Sequence, residues 1–464
     1  MNKPRWAYIK WPVLLLAAAG FLWLKRQGFQ FTAGGDENTY YYMARLMTEG
    51  RIFYRDFFYA HPPLNLLVLT LVYRVFGFHL AALKLTASLP VLIAAVPLYL
   101  RFWRKNRGWS GIFFLAILLF GYELLKVTNH PFGVSLSAAF LMFSLYFFLE
   151  ERPLATGFSW GLASVTGLYA LPWGAVPAVF YLLNPERRRS LPGFLLGFLL
   201  VFGTVNGLAL LFFGARYSTP VYLYHLLKPP SPEPVSDIYI RTVRRNLPVF
   251  FLPFLYAWAP RTPKRTAVFA AGFGYLVILA ALNPLFTQYF MLPIPFLAWI
   301  GAVSLAGTVR SFSPAGRRAA ALGAALLLLA AFTRDNVARY IERERIIGFQ
   351  TWEECRDFVR ENSAPGDLLF GQVTVTPLLA LLTGREIALD MVDTNHMRFR
   401  SGLADFDRVM DELEAEERLK FIIVQESRFW NSAEVQSRLA RYRPAAVFAE
   451  PRARIVIYDC RPEP

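Results

Sequence analysis

Six apolar stretches, residues 80–100, 111–125, 132–149, 191–213, 266–282 and 284–309, approach or exceed the ~20 residues that cross a bilayer. They constrain the fold more than anything else in the chain. In lipid every backbone N–H and C=O must be satisfied inside the structure, which leaves helices or closed barrels. A barrel strand would show roughly ten residues of alternating hydrophobicity. These runs are continuous, so they predict helices. Hydrophobic residues fill 55% of the 464 positions, too many for a soluble chain of this length. The chain reads as a polytopic α-helical membrane protein. With the further segments 11–24, 64–76 and 154–183, the expectation is about 11–13 transmembrane helices.

A net charge of +16 raises the question of nucleic acid. The basic residues form no single patch. They fall in short loops at 101–107, 187–189, 261–265 and 310–318, between apolar runs. That is the positive-inside pattern, with Arg and Lys facing anionic membrane lipid. No nucleic-acid partner is expected. With those loops in the cytoplasm, the loop after the first helix, the long loop 215–246 and the C-terminal part all fall outside. Lys3, Arg5 and Lys10 precede segment 11–24 without a small-residue cleavage site, so that segment is expected to stay as a helix. A bacterial inner membrane is the expected location.

The pattern changes near Arg334. Residues 1–333 are expected to form the membrane domain, and 334–464 a small extracytoplasmic α/β domain. In the latter, 367–370 and 421–424 read as buried strands and 404–418 as an amphipathic helix. Residues 445–450 and 453–458 read as a hairpin about Pro451. Gly371 is isolated, and no glycine-rich phosphate fingerprint is present. Cys355 and Cys460 allow a disulfide outside the cytoplasm, and two unpaired thiols are the simpler expectation.

Chemistry concentrates in the polar loop 28–63. Gly35-Asp36-Glu37 is followed by Tyr40-Tyr41-Tyr42, and then by Tyr54-Arg55-Asp56-Phe57-Phe58-Tyr59-Ala60-His61-Pro62-Pro63. Carboxylates beside a bilayer are costly unless something uses them. A carboxylate in reach of a hydroxyl takes its proton as it attacks. A departing phosphate needs positive charge, and hard oxygen ligands suit Mg²⁺ or Mn²⁺. Asp36, Glu37 and Asp56 are therefore the candidate catalytic carboxylates. Arg55, His61 and Arg241 are candidate phosphate contacts. Tyr59 is a candidate wall for a prenyl chain or sugar face, and His225 a further substrate-binding candidate. Plainer readings stand beside these. Asp36 and Glu37 would also suit the start of a helix near Asn38. His61 would also suit a solvated surface, and the tyrosines a membrane belt.

The same residues carry a resemblance. The Asp36-Glu37 pair with its aromatics, followed by the segment from Tyr54 to Leu64, resembles the family 39 type of membrane glycosyltransferase. That group includes protein O-mannosyltransferases and bacterial enzymes that modify lipid A with aminoarabinose. Gln288-Tyr289-Phe290-Met291-Leu292-Pro293-Ile294-Pro295 resembles the family's late proline-containing helix. The resemblance implies a GT-C fold. It implies transfer of a sugar from a polyprenyl-phosphate carrier to a lipid, glycan or protein acceptor outside the cytoplasm, with inversion. Asp36 matches the family's first acidic residue, a general base or acceptor-orienting group, and Glu37 its neighbour. Asp56 and His61 match the following motif, where many relatives carry Lys in place of His61. A divalent cation, Mg²⁺ or Mn²⁺, on Asp36 and Glu37 would accord with this reading. The chain departs from the pattern at three places. Asn129-His130-Pro131 stands where relatives often carry an acid, no Lys occurs in 165–171, and Gln288 stands where Arg is frequent.

Two other functions compete. A transporter or lipid flippase places ionisable residues inside its helices and often shows internal repeats. Here the carboxylates sit in a loop and no repeat is visible. A non-catalytic membrane scaffold would leave Asp36, Asp56 and His61 without a use.

Overall fold

The apolar runs fold as helices, and their burial sorts them into centre and periphery. The computed structural model describes residues 8–30, 35–105, 107–230, 233–258, 261–282, 284–312, 315–347, 352–450 and 453–461. Among these, Leu80–Arg104, Pro185–Phe213, Thr287–Ser311 and Gly316–Glu344 are long and apolar enough to cross a membrane. Shorter apolar helices, among them Leu64–Phe76, Gly108–Leu119 and Val134–Leu149, stand between them. A helix that is apolar all round belongs at the centre. Thr287–Ser311 has 94% of its most apolar window buried and occupies that place; Gly316–Glu344, with 17%, faces outward.

Several runs are broken. Gly77, at φ +64°, separates Leu64–Phe76 from Leu80–Arg104. The run 154–183 is interrupted at Pro172 by a 3-10 stretch, Leu168–Gly174, between the helices Pro153–Ser164 and Ala175–Leu183. Proline cannot donate to the helical ladder, and the tighter coil accommodates it.

Small residues set the closest helix contact. A Cβ on Gly157 would lie 1.8 Å from the Phe194 carbonyl oxygen, and one on Gly197 would lie 2.1 Å from that of Leu154. Both obstacles are backbone, so no rotamer change relieves them. Gly157→Ala is expected to force Pro153–Ser164 away from Leu191–Phe198 and to cost about 1–3 kcal/mol. Thermal unfolding in detergent checks this; an unchanged midpoint would refute the close approach.

The short basic loops gather at one end of the bundle. Arg101 pairs with Glu150 at 3.0 Å, and Arg187 and Lys264 both pair with Glu151. Arg101 lies about 25 Å along its helix from Lys84, by the 1.5 Å rise per residue. Lys84 in turn donates to the Gly28 carbonyl, 2.6 Å away, beside the polar loop. Basic loops and polar loop thus occupy opposite ends, the arrangement that the charge pattern requires.

Beyond Gly316–Glu344 comes the C-terminal sheet. Its strands are β1 (Leu368–Gly371), β2 (Glu386–Ile387), β3 (Leu419–Gln425), β4 (Arg443–Glu450) and β5 (Ala453–Asp459), in the order β2-β1-β3-β5-β4. β1 is parallel to β2 and β3, while β5 is antiparallel to β3 and β4. The two buried strands, the helix (Phe406–Glu414) and the terminal hairpin appear where the sequence pattern puts them. The helix Ala315–Ile347 runs through residue 334, where the composition changes. Neither Cys355 nor Cys460 is in a disulfide.

The polar loop is bound to this sheet. Its helix, Glu37–Thr48, buries Tyr41, Tyr42 and Leu46 in one core with Leu369, Leu378 and Ile423. Thr39 Oγ1 donates to the Val373 carbonyl (3.1 Å), Gly35 N–H to that of Thr374 (3.0 Å), and Ile387 N–H to the Tyr42 hydroxyl (2.9 Å).

Candidate active site

Asp36 takes the N-cap position of Glu37–Thr48, yet its side chain makes no capping hydrogen bond. Its accessible surface lines a cavity of about 400 Å³ formed by the polar loop, residues of 215–246 and the C-terminal domain. Thr39, Tyr40 and Met43 line it as well. Positions 36, 39, 40 and 43 are i, i+3, i+4 and i+7, one face of a helix.

Glu37 is rotated about 100° from that face. It is 3% exposed, and its Oε1 lies 2.9 Å from His130 Nδ1. His130 Nε2 is 3.3 Å from the Arg343 guanidinium. Burial works to raise the Glu37 carboxyl, and His130, Lys84 and a backbone hydrogen bond together outweigh it and leave the carboxyl below its usual value. Glu37 is therefore tied through His130 to the helix Ala315–Ile347 and is absent from the cavity lining. The expected oxygen pair for Mg²⁺ or Mn²⁺ does not form, because Asp36 and Glu37 face different partners. Among the described residues no three His, Cys, Asp or Glu side chains converge as a metal site.

Tyr59 and His61 do reach the cavity. His61 Nε2 lies 3.1 Å from the Tyr40 hydroxyl. His225 stands behind it, with ring centres 5.5 Å apart, and its Nε2 donates to the Ala60 carbonyl at 2.7 Å. Burial, then neighbouring positive groups, push His61 well below the usual imidazole value; His225 falls to about 4. Both rings are neutral at pH 7.

Asp56 and Arg55 are not on the cavity. They pair with each other at 2.8 Å, and Asp56 also accepts the Ile52 N–H at 2.7 Å, closing the turn before Phe57. The Arg55 hydrogen bond, then that N–H, hold the Asp56 carboxyl down at about 2. Arg241 pairs with Glu233 and is likewise away from the cavity.

The cavity's cation is Lys228, which lies 4.6 Å from the centre of the Tyr224 ring. It has no ion pair among the described residues. Desolvation lowers it to about 8, against the pull of Asp393 and Asp36. Asp36 moves the other way. Desolvation, then the charges of Asp393 and Glu37, raise it to about 6, with Lys228 opposing. Sequence reasoning passed over Lys228 and Asp393. Lys228 lies in the long loop 215–246, which the charge pattern puts on the same side as the polar loop.

No family model and no curated protein matches the chain by sequence. Solved structures match it by shape. ArnT from Cupriavidus metallidurans bound to undecaprenyl phosphate superposes with a TM-score of 0.70 at 15% identity, covering 96% of this chain and 97% of that one. The Archaeoglobus fulgidus oligosaccharyltransferase in complex with Zn and sulfate matches at 0.59 and 12% identity, covering 95% and 72%. AglB from the same organism, with an inhibitory peptide and a dolichol-phosphate, matches at 0.57 and 11%, covering 96% and 73%. The fold is thus the one these solved structures share, with a small C-terminal sheet domain over the polar loop.

Proposed function

We propose that this chain is a membrane glycosyltransferase. It moves a sugar from a polyprenyl-phosphate carrier to a hydroxyl of a lipid, glycan or protein acceptor, on the extracytoplasmic side of a bacterial inner membrane. One observation carries the reading: Asp36 stands at a helix start without capping it, with its acidity shifted toward neutrality, on a cavity that also holds Lys228. The undecaprenyl phosphate on ArnT and the dolichol-phosphate on AglB support the carrier class.

The residues define a single displacement. The acceptor hydroxyl gives its proton to the Asp36 carboxylate as its oxygen attacks the anomeric carbon. The bond from that carbon to the phosphate oxygen breaks, and the carrier phosphate leaves with the electron pair. Lys228 stabilises the charge that develops there. Tyr40 and neutral His61 offer hydrogen bonds beside it. Attack opposite the leaving phosphate inverts the anomeric centre.

Lys228→Gln is expected to weaken binding of polyprenyl phosphate about tenfold. In the native chain the same binding should weaken as pH rises through about 8, where Lys228 loses its proton. Carrier titrations at pH 7 and 9 check both. Equal affinity of variant and native chain would remove Lys228 from the site.

The reading itself is tested by mass spectrometry of envelope lipids and glycans, with and without the chain. A sugar-sized mass should vanish without it and return when it is restored. Identical profiles would overturn the assignment and favour transport or scaffolding.

A further inference from the structure

The C-terminal domain does more than cover the cavity. It places Gln372 and Asp393 in the wall that Asp36 also lines. Their positions are fixed by the sheet. Gln372 N–H donates to the Ile423 carbonyl of β3 at 2.9 Å, and Thr394 Oγ1 donates to the Gly371 carbonyl at 2.6 Å.

Gln372 and Asp393 each carry a side-chain acceptor that the protein leaves open. One Asp393 carboxylate oxygen accepts the Asn395 N–H at 3.0 Å. The other has no hydrogen-bond partner among the described residues. Gln372 Oε1 is buried and has none. Asp36 caps nothing. Native structures leave few buried acceptors unsatisfied, because each forfeits the hydrogen bond it had in water, and Gln372 Oε1 is such an acceptor, beside the half-buried Asp393 carboxylate. A ligand that satisfies this wall must bring O–H or N–H donors. A prenyl chain brings none. A phosphate diester brings only acceptors, and the cavity's cation is on Lys228. Sugar hydroxyls supply what the wall lacks.

We propose that Asp393 and Gln372 form a sugar-binding subsite, in which hydroxyls of the transferred or the receiving sugar donate to the Asp393 carboxylate and the Gln372 carbonyl. The inference rests on the glycosyl-transfer reading and assigns substrate selection to the C-terminal domain. Asp393→Asn keeps an oxygen for the Asn395 N–H and turns the free acceptor into a donor. Gln372→Met removes the second acceptor at similar volume.

The test is direct binding to the full chain in nanodiscs. The probes are decaprenyl phosphate, decaprenyl-phosphoryl hexose and pentose, diacylglycerol, and glucosyl diacylglycerol. The native chain should bind at least one sugar-bearing probe about tenfold tighter than the same lipid without its sugar. Each variant should lose most of that gain, and Gln372→Met should bind decaprenyl phosphate as the native chain does. A gain with the phosphoryl sugars assigns the subsite to the donor; a gain with the glycolipid assigns it to the acceptor. No sugar-dependent gain in either series overturns the proposal. So does a gain that survives both substitutions, or variants that bind every probe more weakly to the same degree. Failure of the glycosyl-transfer reading looks different: sugar-dependent binding lost in the variants, with no sugar transferred by the native chain.

Discussion

Asp36→Asn is expected to lower sugar transfer about 10²–10⁴-fold, the range for loss of a general base. Protein level and carrier affinity should hardly change, because the amide keeps the shape of the carboxylate and Lys228 still meets the phosphate. The pH profile of the native chain carries the same information. The Asp36 carboxyl is raised from 3.8 to about 6, and only its ionised form accepts the acceptor proton. Transfer should therefore rise with pH through about 6. It should fall again above about 8, where Lys228 loses its charge. The two limbs belong to the coupled site as much as to either residue. Stability runs the opposite way. Between pH values of about 4 and 6 the folded chain holds the Asp36 proton more tightly than the unfolded chain does, so stability falls as pH rises through that window. Asn never ionises, so the variant should unfold at a higher temperature than the native chain at pH 7. Steady-state rates across pH, paired with thermal unfolding, test both effects. A variant with full activity would mean that another group takes the proton and that the cavity is misassigned.

What the sequence made legible was local. Apolar runs announce membrane helices, because lipid forbids other backbone states. The strands 367–370 and 421–424 show as short continuous apolar runs, and the hairpin about Pro451 shows because residues in contact across a turn are near in sequence. The polar loop stands out because carboxylates there are costly. Asp36, Tyr59 and His61 followed from it and share the cavity. Asp56 and Arg55 came from the same motif and close a turn instead. Glu37 shows why adjacency misleads: the residue next to a helix start points to another face, and Glu37 meets His130. The helical period from Asp36 through Thr39, Tyr40 and Met43 contains that answer. Lys228, Asp393 and Gln372 reach the site from far along the chain. Only the packing of the sheet domain against the polar loop brings them in, and no local pattern encodes it.

Gly371 is the sharpest case of a residue whose weight is invisible in sequence, and Gly371→Ala is expected to be among the most damaging single changes in the C-terminal domain. The residue ends β1 at φ +143°, a conformation that side chains with a Cβ rarely adopt. An added Cβ would stand 1.9 Å from the Ile423 carbonyl oxygen. Ile423 cannot withdraw, because β3 is held between β1 and β5, with Ile423 opposite both Gly371 and Ile457. The strained backbone costs about 1–3 kcal/mol and the overlap a similar amount, so about 2–6 kcal/mol is expected in all. The damage should not stop at stability. Gln372, Val373 and Thr374 follow directly, and the carbonyls of the last two hold Thr39 and Gly35 on either side of Asp36. Displacing this segment moves Asp36, the proposed base, without touching substrate, so transfer should fall in molecules that remain folded. Gly366→Ala is the control, since a Cβ there meets nothing within 4 Å, and it should stay within about 0.5 kcal/mol of the native chain. Hydrogen exchange resolved to β1 and β3 separates the two outcomes. Fast exchange in Gly371→Ala alone is expected. Equal protection in both variants would mean that the β1–β3 junction is looser than a backbone carbonyl packed against a glycine allows, and that the sheet does not fix the wall of the cavity.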